Sequence, residues 1–363
     1  MQGKFYLPGL DGLRAIASMA VVVGHIELCK QDHGYANFFN NIKLLGTLGV
    51  ILFFVLSGFL ITTLLLKEKK EHKKINIRNF YVRRILRVWP LYYIILLLSA
   101  LIFMYSPSWF TLLLCGTIFP NIAHAFSSGW LVSPQLWSIG VEEQFYLFWP
   151  AILRGKERTI LLIAVFLTFA YPILPHVTQF VLSRLDYSNS SLKLVEVLFE
   201  VLNFGSMGTG ALFAILYFGE YPRFNNWRKR LKPLNLLFVI LPFALWFGNV
   251  NFSYVQFPVY SLLFGYMITI LIDGNYTFIF ESRIFKFLGK ISYGIYMYHW
   301  ILMLLFVELF AKQLEGGWLG SLVFYISTIV GTIVIAYLSH KYIESFFLKL
   351  KGKFQGKKIK ADA

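Results

Sequence analysis

The sequence predicts an all-α, polytopic integral membrane protein. Of its 363 residues, 57% are hydrophobic and only 14% are charged, whereas soluble globular proteins carry about 25% charged residues. The mean hydropathy of +0.63 is too high for a soluble protein of this length. The excess of 34 Lys and Arg over 18 Asp and Glu therefore indicates membrane topology, and we expect no nucleic-acid partner.

Ten stretches are long and apolar enough to be membrane-spanning helices, which need about 20 residues. An eleventh apolar stretch, 110–120, is too short to span. The ten predicted spans are 8–28, 44–66, 88–105, 135–153, 159–174, 195–218, 234–249, 255–272, 291–310 and 318–338.

The basic residues predict how the chain crosses the membrane. If it crosses twice between residues 87 and 154, then 28 Lys and Arg lie on one side and five on the other. This asymmetry fits the positive-inside rule. Segment 110–120 must then be re-entrant or interfacial on the outer side. We expect the protein to lie in the plasma or inner membrane, with both termini in the cytoplasm.

The chain is predicted to form one transmembrane domain, 1–345, followed by a basic cytoplasmic tail, 346–363, that faces anionic lipid. Segment 67–79 is charged without apolar periodicity, which predicts a mobile cytoplasmic connector. We expect no cleavable signal peptide. Cys29 and Cys115 fit neither a disulfide framework nor a metal site, so no metal is expected.

Ionisable residues within predicted spans are costly and usually mark a site. Arg14 and His25 share one face of the first span, about 16 Å apart, and Glu142 and Glu143 lie at a depth similar to that of His25. A histidine oriented by a carboxylate can take a proton from a hydroxyl. Three alternatives stay open: a structural histidine, a carboxylate pair that couples protons in a transporter, or an Arg14 that only neutralises Asp11.

Three further groups have two readings each. Arg83, Arg84 and Arg87 at the start of the third span could bind phosphates or anchor the helix end with Trp89. The pair Ser57–Gly58 permits close approach of a ligand or of a neighbouring helix. His299 lies near the middle of the ninth span, where it could be structural or part of a site.

Five motifs occur in one order along the chain, and together they resemble the membrane-bound acyltransferase-3 family. Each is weak alone, but five in order are specific. They are LDGLRAIA at 10–17 followed by His25, FFVLSGFLIT at 53–62, RRILRVWP at 83–90 with Tyr92, WSIGVEEQFY at 137–146 and SYGIYMYH at 292–299. The resemblance implies ten spans, cytoplasmic termini and acyl transfer from coenzyme A to sugars of surface glycans.

The resemblance also implies roles for the motif residues. His25 is similar to the family's essential histidine, Arg14 to its partner, and Glu142 to the family acid. Arg83, Arg84 and Arg87 match the arginine motif associated with donor binding, with Arg14 and Ser57 expected along the donor channel. Four more residues are expected to line the site: Trp137, Glu143, Tyr146 and His299.

The resulting hypothesis is a membrane O-acyltransferase that moves an acyl group, most simply acetyl, from cytoplasmic acyl-CoA to a hydroxyl of a cell-envelope or lipid-linked glycan. His25 would be the general base, assisted by Glu142, and direct or covalent transfer both stay open. Acetyl-CoA is expected as donor substrate, with no permanently bound cofactor. Some family members carry an extracytoplasmic hydrolase-like domain, which a separate partner protein would have to supply here. The alternatives are a secondary transporter, which would predict inverted repeats, and a glycan flippase.

Overall fold

The computed structural model describes residues 6–35, 37–38, 43–185, 188–219, 221–310, 312 and 317–351, and every regular element in these ranges is helical. Nine described helices are long and apolar enough to cross a membrane. The predicted all-α, polytopic class is thereby confirmed. The nine are Leu10–Asp32, Leu44–His72, Ile77–Ile102, Glu157–Arg184, Ser190–Phe218, Pro222–Phe247, Ser253–Ile272, Ser292–Leu309 and Trp318–Leu350.

Some of these long helices contain short irregular turns, so we number the α-helical pieces separately. Most of the predicted tail, 352–363, lies outside the described residues. The pieces are α1 (Leu10–Asp32), α2 (Lys43–His72), α3 (Ile77–Ile102), α4 (Trp109–Gly116), α5 (Pro120–Ala125), α6 (Trp137–Ile152), α7 (Glu157–Val165), α8 (Leu174–Arg184), α9 (Asn189–Val201), α10 (Phe204–Phe218), α11 (Pro222–Leu231), α12 (Asn235–Phe247), α13 (Gln256–Ile272), α14 (Arg283–Lys290), α15 (Ser292–Leu309), α16 (Trp318–Ser339) and α17 (Ser345–Lys351).

The predicted span that is absent from the nine, 135–153, is α6 with the 3₁₀ turn Pro134–Leu136 before it. Helix α6 has 16 residues, about 24 Å, and it contains the two adjacent carboxylates Glu142 and Glu143. Helix α6 is absent from the nine because it is shorter than they are, and its two carboxylates also make it less apolar. Its last turn ends where Lys69 Nζ of α2 donates to the carbonyl oxygens of Leu153 and Gly155, each at 2.9 Å.

The segment before α6 consists of two helices that are each too short to span. Helices α4 and α5 have eight and six residues, so neither can cross a hydrocarbon core of about 30 Å. The side chains of Asn121 and Gln144 exchange two hydrogen bonds, at 3.0 and 2.8 Å. Segment α4–α5 therefore packs against α6 without spanning, and its re-entrant or interfacial position on the outer side stays a prediction.

Two contacts place the basic segment 154–158 at the same end of the bundle as the C-terminal turns of α2. One is the Lys69 contact described above, and the other is the bond from the Tyr81 hydroxyl to the Leu147 carbonyl at 2.6 Å. The charge count requires these basic segments to share a side. Which side is cytoplasmic stays a prediction.

The predicted mobile connector 67–79 is wrong, because α2 continues to His72 and α3 already begins at Ile77. Polar contacts stabilise the helices in this segment, which has no apolar face to pack. Lys67 pairs with Glu71 one turn later at 3.7 Å, and the Asn76 side chain caps α3 by accepting from the Asn79 N–H at 3.0 Å. The arginine cluster therefore lies inside a continuous helix.

Helix α2 is the central element, packed against α1, α10 and α13. Its contact with α10 depends on one glycine from each helix. A Cβ atom added at Gly58 would lie 2.0 Å from the Met207 carbonyl oxygen, and one added at Gly210 would lie 2.0 Å from that of Val55. Any larger residue would push the helices apart, so the packing reading of Gly58 is confirmed.

The N-terminus of α1 is held by a carboxylate from the loop before α14. Glu281 accepts hydrogen bonds from the Tyr6 hydroxyl at 2.6 and 2.7 Å and from the Gly9 N–H at 2.6 Å, and Lys286 lies 2.7 Å away. Burial alone raises the pKa of Glu281, but these hydrogen bonds and the positive charge of Lys286 outweigh burial and lower it overall.

This lowered pKa predicts a pH-dependent contribution to stability. Because the folded-state pKa lies below the unfolded value of about 4.3, the stabilisation is complete above that value and is lost as the pH falls through the folded pKa. Glu281→Gln should therefore lower the thermal unfolding midpoint at pH 7, and the difference from the wild type should shrink below about pH 4. Glu71→Gln, which removes only an exposed i,i+4 pair, is the control. A difference that stays constant with pH would contradict this account.

The topology prediction can be checked with single-cysteine variants and a membrane-impermeant maleimide on intact cells. Ser128→Cys should be labelled from outside, whereas Lys73→Cys and Lys156→Cys should be labelled only after permeabilisation, because their segments carry the basic excess. The two native cysteines are buried, and the unsubstituted protein measures their background. Labelling of Lys156→Cys on intact cells would overturn the orientation.

Candidate functional site

Five helices converge on a narrow cavity of about 80 Å³ at the end of the bundle that holds the arginine cluster. By this measure about 10–15 Å³ holds one water molecule, so the cavity accepts a thin chain and no bulky group. It is lined by Arg14 of α1; Val50, Phe53, Phe54, Ser57, Leu60 and Ile61 of α2; Arg84, Arg87 and Val88 of α3; Ser138, Ile139, Glu142 and Tyr146 of α6; and Ser292, Tyr293 and Tyr296 of α15.

Three arginines and one carboxylate meet in this cavity. Arg14 lies 3.6 Å from Asp11, so it neutralises that residue and lines the cavity at the same time. Arg84 lies over the Tyr146 ring, 5.2 Å from the ring centroid. With Arg87 also present, positive charge exceeds negative charge around an opening that leads into apolar protein, which is the arrangement an anionic ligand requires.

The carboxylate of Glu142 is fully engaged within the cavity. One oxygen accepts from the Ser57 hydroxyl at 2.8 Å and the other from the Tyr146 hydroxyl at 3.1 Å. Ser57 is thus brought to the site by the helix whose next residue, Gly58, packs on α10. Glu142, Ser57 and Tyr146, which were each predicted as site residues, all meet in this cavity. The predicted pairing of Glu142 with His25 is not observed, because both oxygens of Glu142 are bound by Ser57 and Tyr146.

Arg83 differs from its neighbours in the arginine cluster. It forms an ion pair with Glu68 of α2 at 3.1 Å, while Arg84 and Arg87, three residues apart, line the cavity. Successive residues of a helix point about 100° apart, and Glu68 lies where Arg83 points. The sequence predicted one cluster of three donor-binding arginines, whereas the structure brings two of them to the cavity, together with Arg14.

Two other residues expected to line the site are also directed elsewhere. Glu143 accepts from the Trp89 indole N–H at 3.0 Å, and the Trp137 ring packs on Phe54 with ring centroids 6.1 Å apart. Neither is among the lining residues of the cavity. The physical reason for Glu143 is again the rotation of 100° per residue, which turns it from Glu142 toward α3.

His25 and His299 form a pair deeper in the bundle. His25 Nδ1 and His299 Nε2 are 2.8 Å apart, and the two rings are nearly coplanar, with an interplanar angle of 6°. The side chain of His299 is fully buried. The sequence analysis named both histidines as candidate site residues. It did not predict that they pair, since they lie 274 residues apart in the chain.

The hydrogen bonds define the proton positions of the neutral pair. His299 Nδ1 lies 2.6 Å from the Tyr296 carbonyl oxygen, and a carbonyl oxygen only accepts, so Nδ1 carries the proton. His299 Nε2 must then accept, and His25 Nδ1 donates to it. This leaves the lone pair of His25 on Nε2, which is what a base needs.

The histidine pair lies one helical turn beyond the cavity. Tyr296 lines the cavity and its carbonyl oxygen binds His299 one turn later in α15. Its hydroxyl is 2.7 Å from the Ser138 hydroxyl, which also belongs to the cavity wall. Along α15, the cavity wall and the two imidazoles are therefore one helical turn apart.

Trp300 is a candidate that sequence reasoning missed. Its ring lies edge to face with His25, with centroids 5.1 Å apart. Its indole N–H is buried and has no acceptor among the residues that the structure describes, so it can donate to an incoming oxygen. The sequence places it directly after His299, but a tryptophan in an apolar helix carries no signal of its own.

Comparison with known proteins identifies the family. The family model described as acyltransferase domain, of the acyltransferase-3 type, matches residues 7–340. The chain belongs to the acyltransferase-3 family. The predicted resemblance is confirmed, and the match covers the arginine cavity and the histidine pair.

Two relatives illustrate the similarity. The chain is 26% identical to the peptidoglycan O-acetyltransferase OatA of Listeria monocytogenes over 94% of this chain and 55% of that protein. It is 26% identical to the O-acetyltransferase OatA of Staphylococcus aureus over 98% of this chain and 61% of that protein. The chain thus spans little more than half the length of these relatives. No solved structure shows a significant match.

The separation of Arg83 from Arg84 and Arg87 makes a sharp prediction for donor binding. Arg84→Ala with Arg87→Ala should weaken coenzyme A binding at least about tenfold, since each charge-assisted bond is worth roughly 1.5–3 kcal/mol. Isothermal titration with purified protein measures the affinity. Arg83→Ala is the matched control and should change the affinity less than about threefold. An equal loss of affinity in Arg83→Ala and in the double variant would show that all three arginines bind the donor, which would contradict the geometry.

Proposed function

We propose that this protein transfers an acetyl group from acetyl-CoA, bound from the cytoplasmic side, to a hydroxyl of a cell-envelope glycan. Family membership supports the acyl-transfer chemistry, and the relatives named O-acetyltransferases support the acetyl group and the hydroxyl acceptor. The name of the Listeria relative suggests glycan strands of peptidoglycan as the acceptor class.

One observation carries this proposal: the cavity with three arginines at its wall ends one helical turn from a histidine with a free ring nitrogen. Coenzyme A carries anionic phosphates at one end and a thioester on a long, thin arm at the other. The arginines fit the phosphates, the narrow cavity fits the arm, and the arm delivers the thioester to His25.

In the proposed reaction, His25 Nε2 removes the proton from the acceptor hydroxyl while its oxygen attacks the thioester carbonyl carbon. The new C–O bond forms, the carbonyl becomes a tetrahedral oxyanion, and the Trp300 N–H is placed to donate to it. The C–S bond then breaks, and the leaving sulfur takes the proton from His25. The hydrogen bond to His299 stabilises the imidazolium that exists between these two proton transfers.

Glu142 has a different role in this proposal from the one the sequence suggested. Since its oxygens bind Ser57 and Tyr146, it fixes the wall of the donor cavity and balances part of the arginine charge. We infer that it acts on donor positioning and that His299 orients the base.

The histidine pair makes the central prediction. His25→Gln keeps polarity and size but has no basic nitrogen near neutral pH, and general-base catalysis contributes about 10²–10⁴-fold, so acetyl transfer should fall by that factor. His299→Gln should cause a smaller loss. Glu142→Gln should weaken coenzyme A binding, whereas His25→Gln should not. Transfer to a peptidoglycan fragment, followed by mass spectrometry, measures the rate.

Thermal unfolding and coenzyme A affinity serve as folding controls for the same variants. His72→Gln, at the exposed C-terminus of α2, should retain full activity. Native transfer rates in His25→Gln would refute the mechanism. Accumulation of acetylated protein in the absence of acceptor would replace direct transfer by a covalent intermediate.

A further inference from the structure

A second and larger cavity, of about 470 Å³, opens at the opposite end of the bundle. It contains Leu44 and Thr47 from the first turns of α2, whereas the arginine cavity is lined by residues from Val50 to Ile61 of the same helix. Thr47 and Ser57 are ten residues apart, or about 15 Å along α2. The volume is in the range of ligand pockets, about 300–1,000 Å³.

The lining of this second cavity combines rings with hydrogen-bonding groups. His176 of α8 and Tyr254 lie edge to face with centroids 4.9 Å apart at its rim, where Tyr254 is 80% exposed. Glu196, Asn203 and Gln256 supply carboxylate and amide groups. The described residues that line the cavity include no Lys or Arg. The cavity therefore suits a neutral, hydroxyl-rich ligand rather than an anion.

An unsatisfied hydroxyl belongs to a residue in the wall of the same cavity. The Tyr171 side chain is part of the wall, its ring packs on Phe199 and Phe204, and its buried hydroxyl has no hydrogen-bond partner in the described part of the chain. Leaving a buried hydroxyl unpaired is costly. A ligand hydroxyl in the cavity would satisfy it.

The backbone around the cavity is irregular at two places. The π turn Phe166–Ala170 directly precedes Tyr171, and single π turns inside helices often occur at functional sites. Asn249 and Ser253, both in the wall, adopt positive φ values of 57° and 55°. Such conformations cost free energy, and they cluster at ligand-binding sites.

We propose that this cavity binds sugar residues of the acceptor glycan next to the residue that is acetylated. The proposal rests on the proposed function, which supplies a glycan on this side of the bundle. A Cβ atom added at Gly46 of α2 would lie 3.8 Å from Gly24 of α1, so Thr47, the next residue of α2, lies at about the same level as His25, the next residue of α1. In the proposal, one sugar of the glycan strand reaches His25 while its neighbours occupy the cavity.

The test uses N-acetylglucosamine oligosaccharides of two and six units with the purified full chain in nanodiscs. Equilibrium dialysis of labelled oligosaccharide should show that six units bind at least about tenfold more tightly than two. Tyr254→Ala with His176→Ala should abolish this advantage of length. Tyr171→Phe, which removes one hydroxyl, should reduce it about two- to tenfold.

Two controls keep the result specific. Tyr254→Phe retains the ring and should retain most of the advantage, and Trp109→Ala, an exposed ring of α4, should change nothing. All variants should bind coenzyme A as the wild type does. Equal affinity for both lengths in the wild type, or an unchanged advantage in the double variant, would overturn the proposal.

A further measurement separates this proposal from the proposed function. Thiol release from acetyl-CoA is followed in the same samples. If the wild type binds six units in the predicted way but releases no thiol, the transferase proposal fails and the carbohydrate site survives. If it releases thiol and transfers acetyl groups without a dependence on acceptor length, only the carbohydrate site fails.

Discussion

The contact between α2 and α10 constrains the rest of the structure. With Gly58 against Met207 and Gly210 against Val55, the two helices touch backbone to backbone. This contact fixes the rotation of α2, and the rotation decides what each of its faces presents. Ser57, one residue before the glycine, is thereby held toward Glu142 of α6, so the packing of an apolar pair determines the polar wall of the arginine cavity.

Charged groups within the bundle lie beside groups of opposite charge or hydrogen-bond donors, and the wall of the arginine cavity carries more positive than negative charge. Asp11 accompanies Arg14, and Glu142 is surrounded by hydroxyl donors and arginines. Isolated charges in such surroundings would be very costly. Arg84 and Arg87 add two further positive charges to the cavity wall, and a surplus of positive charge on the wall attracts an anion.

The sequence identified residues that carry their own signal and left open which of them meet. Arg14, Ser57, Glu142 and His299 are polar groups within apolar runs, so each could be found alone. That α4–α5 does not span could be predicted, because the segment is short and counting charges uses the whole chain. The bond between His25 and His299 could not, since it depends on how α1 and α15 pack, and Arg83 could not be told from Arg84 without the position of Glu68.

The placement of the two cavities on α2 has a consequence for how two ligands can be kept apart. Thr47 and Ser57 point in directions about 80° apart, and the residues between them include the buried aliphatic side chains of Leu48, Ile51, Leu52 and Val55. Donor and acceptor, as proposed, would then approach from opposite ends of the bundle, with these apolar side chains of α2 between the two cavities.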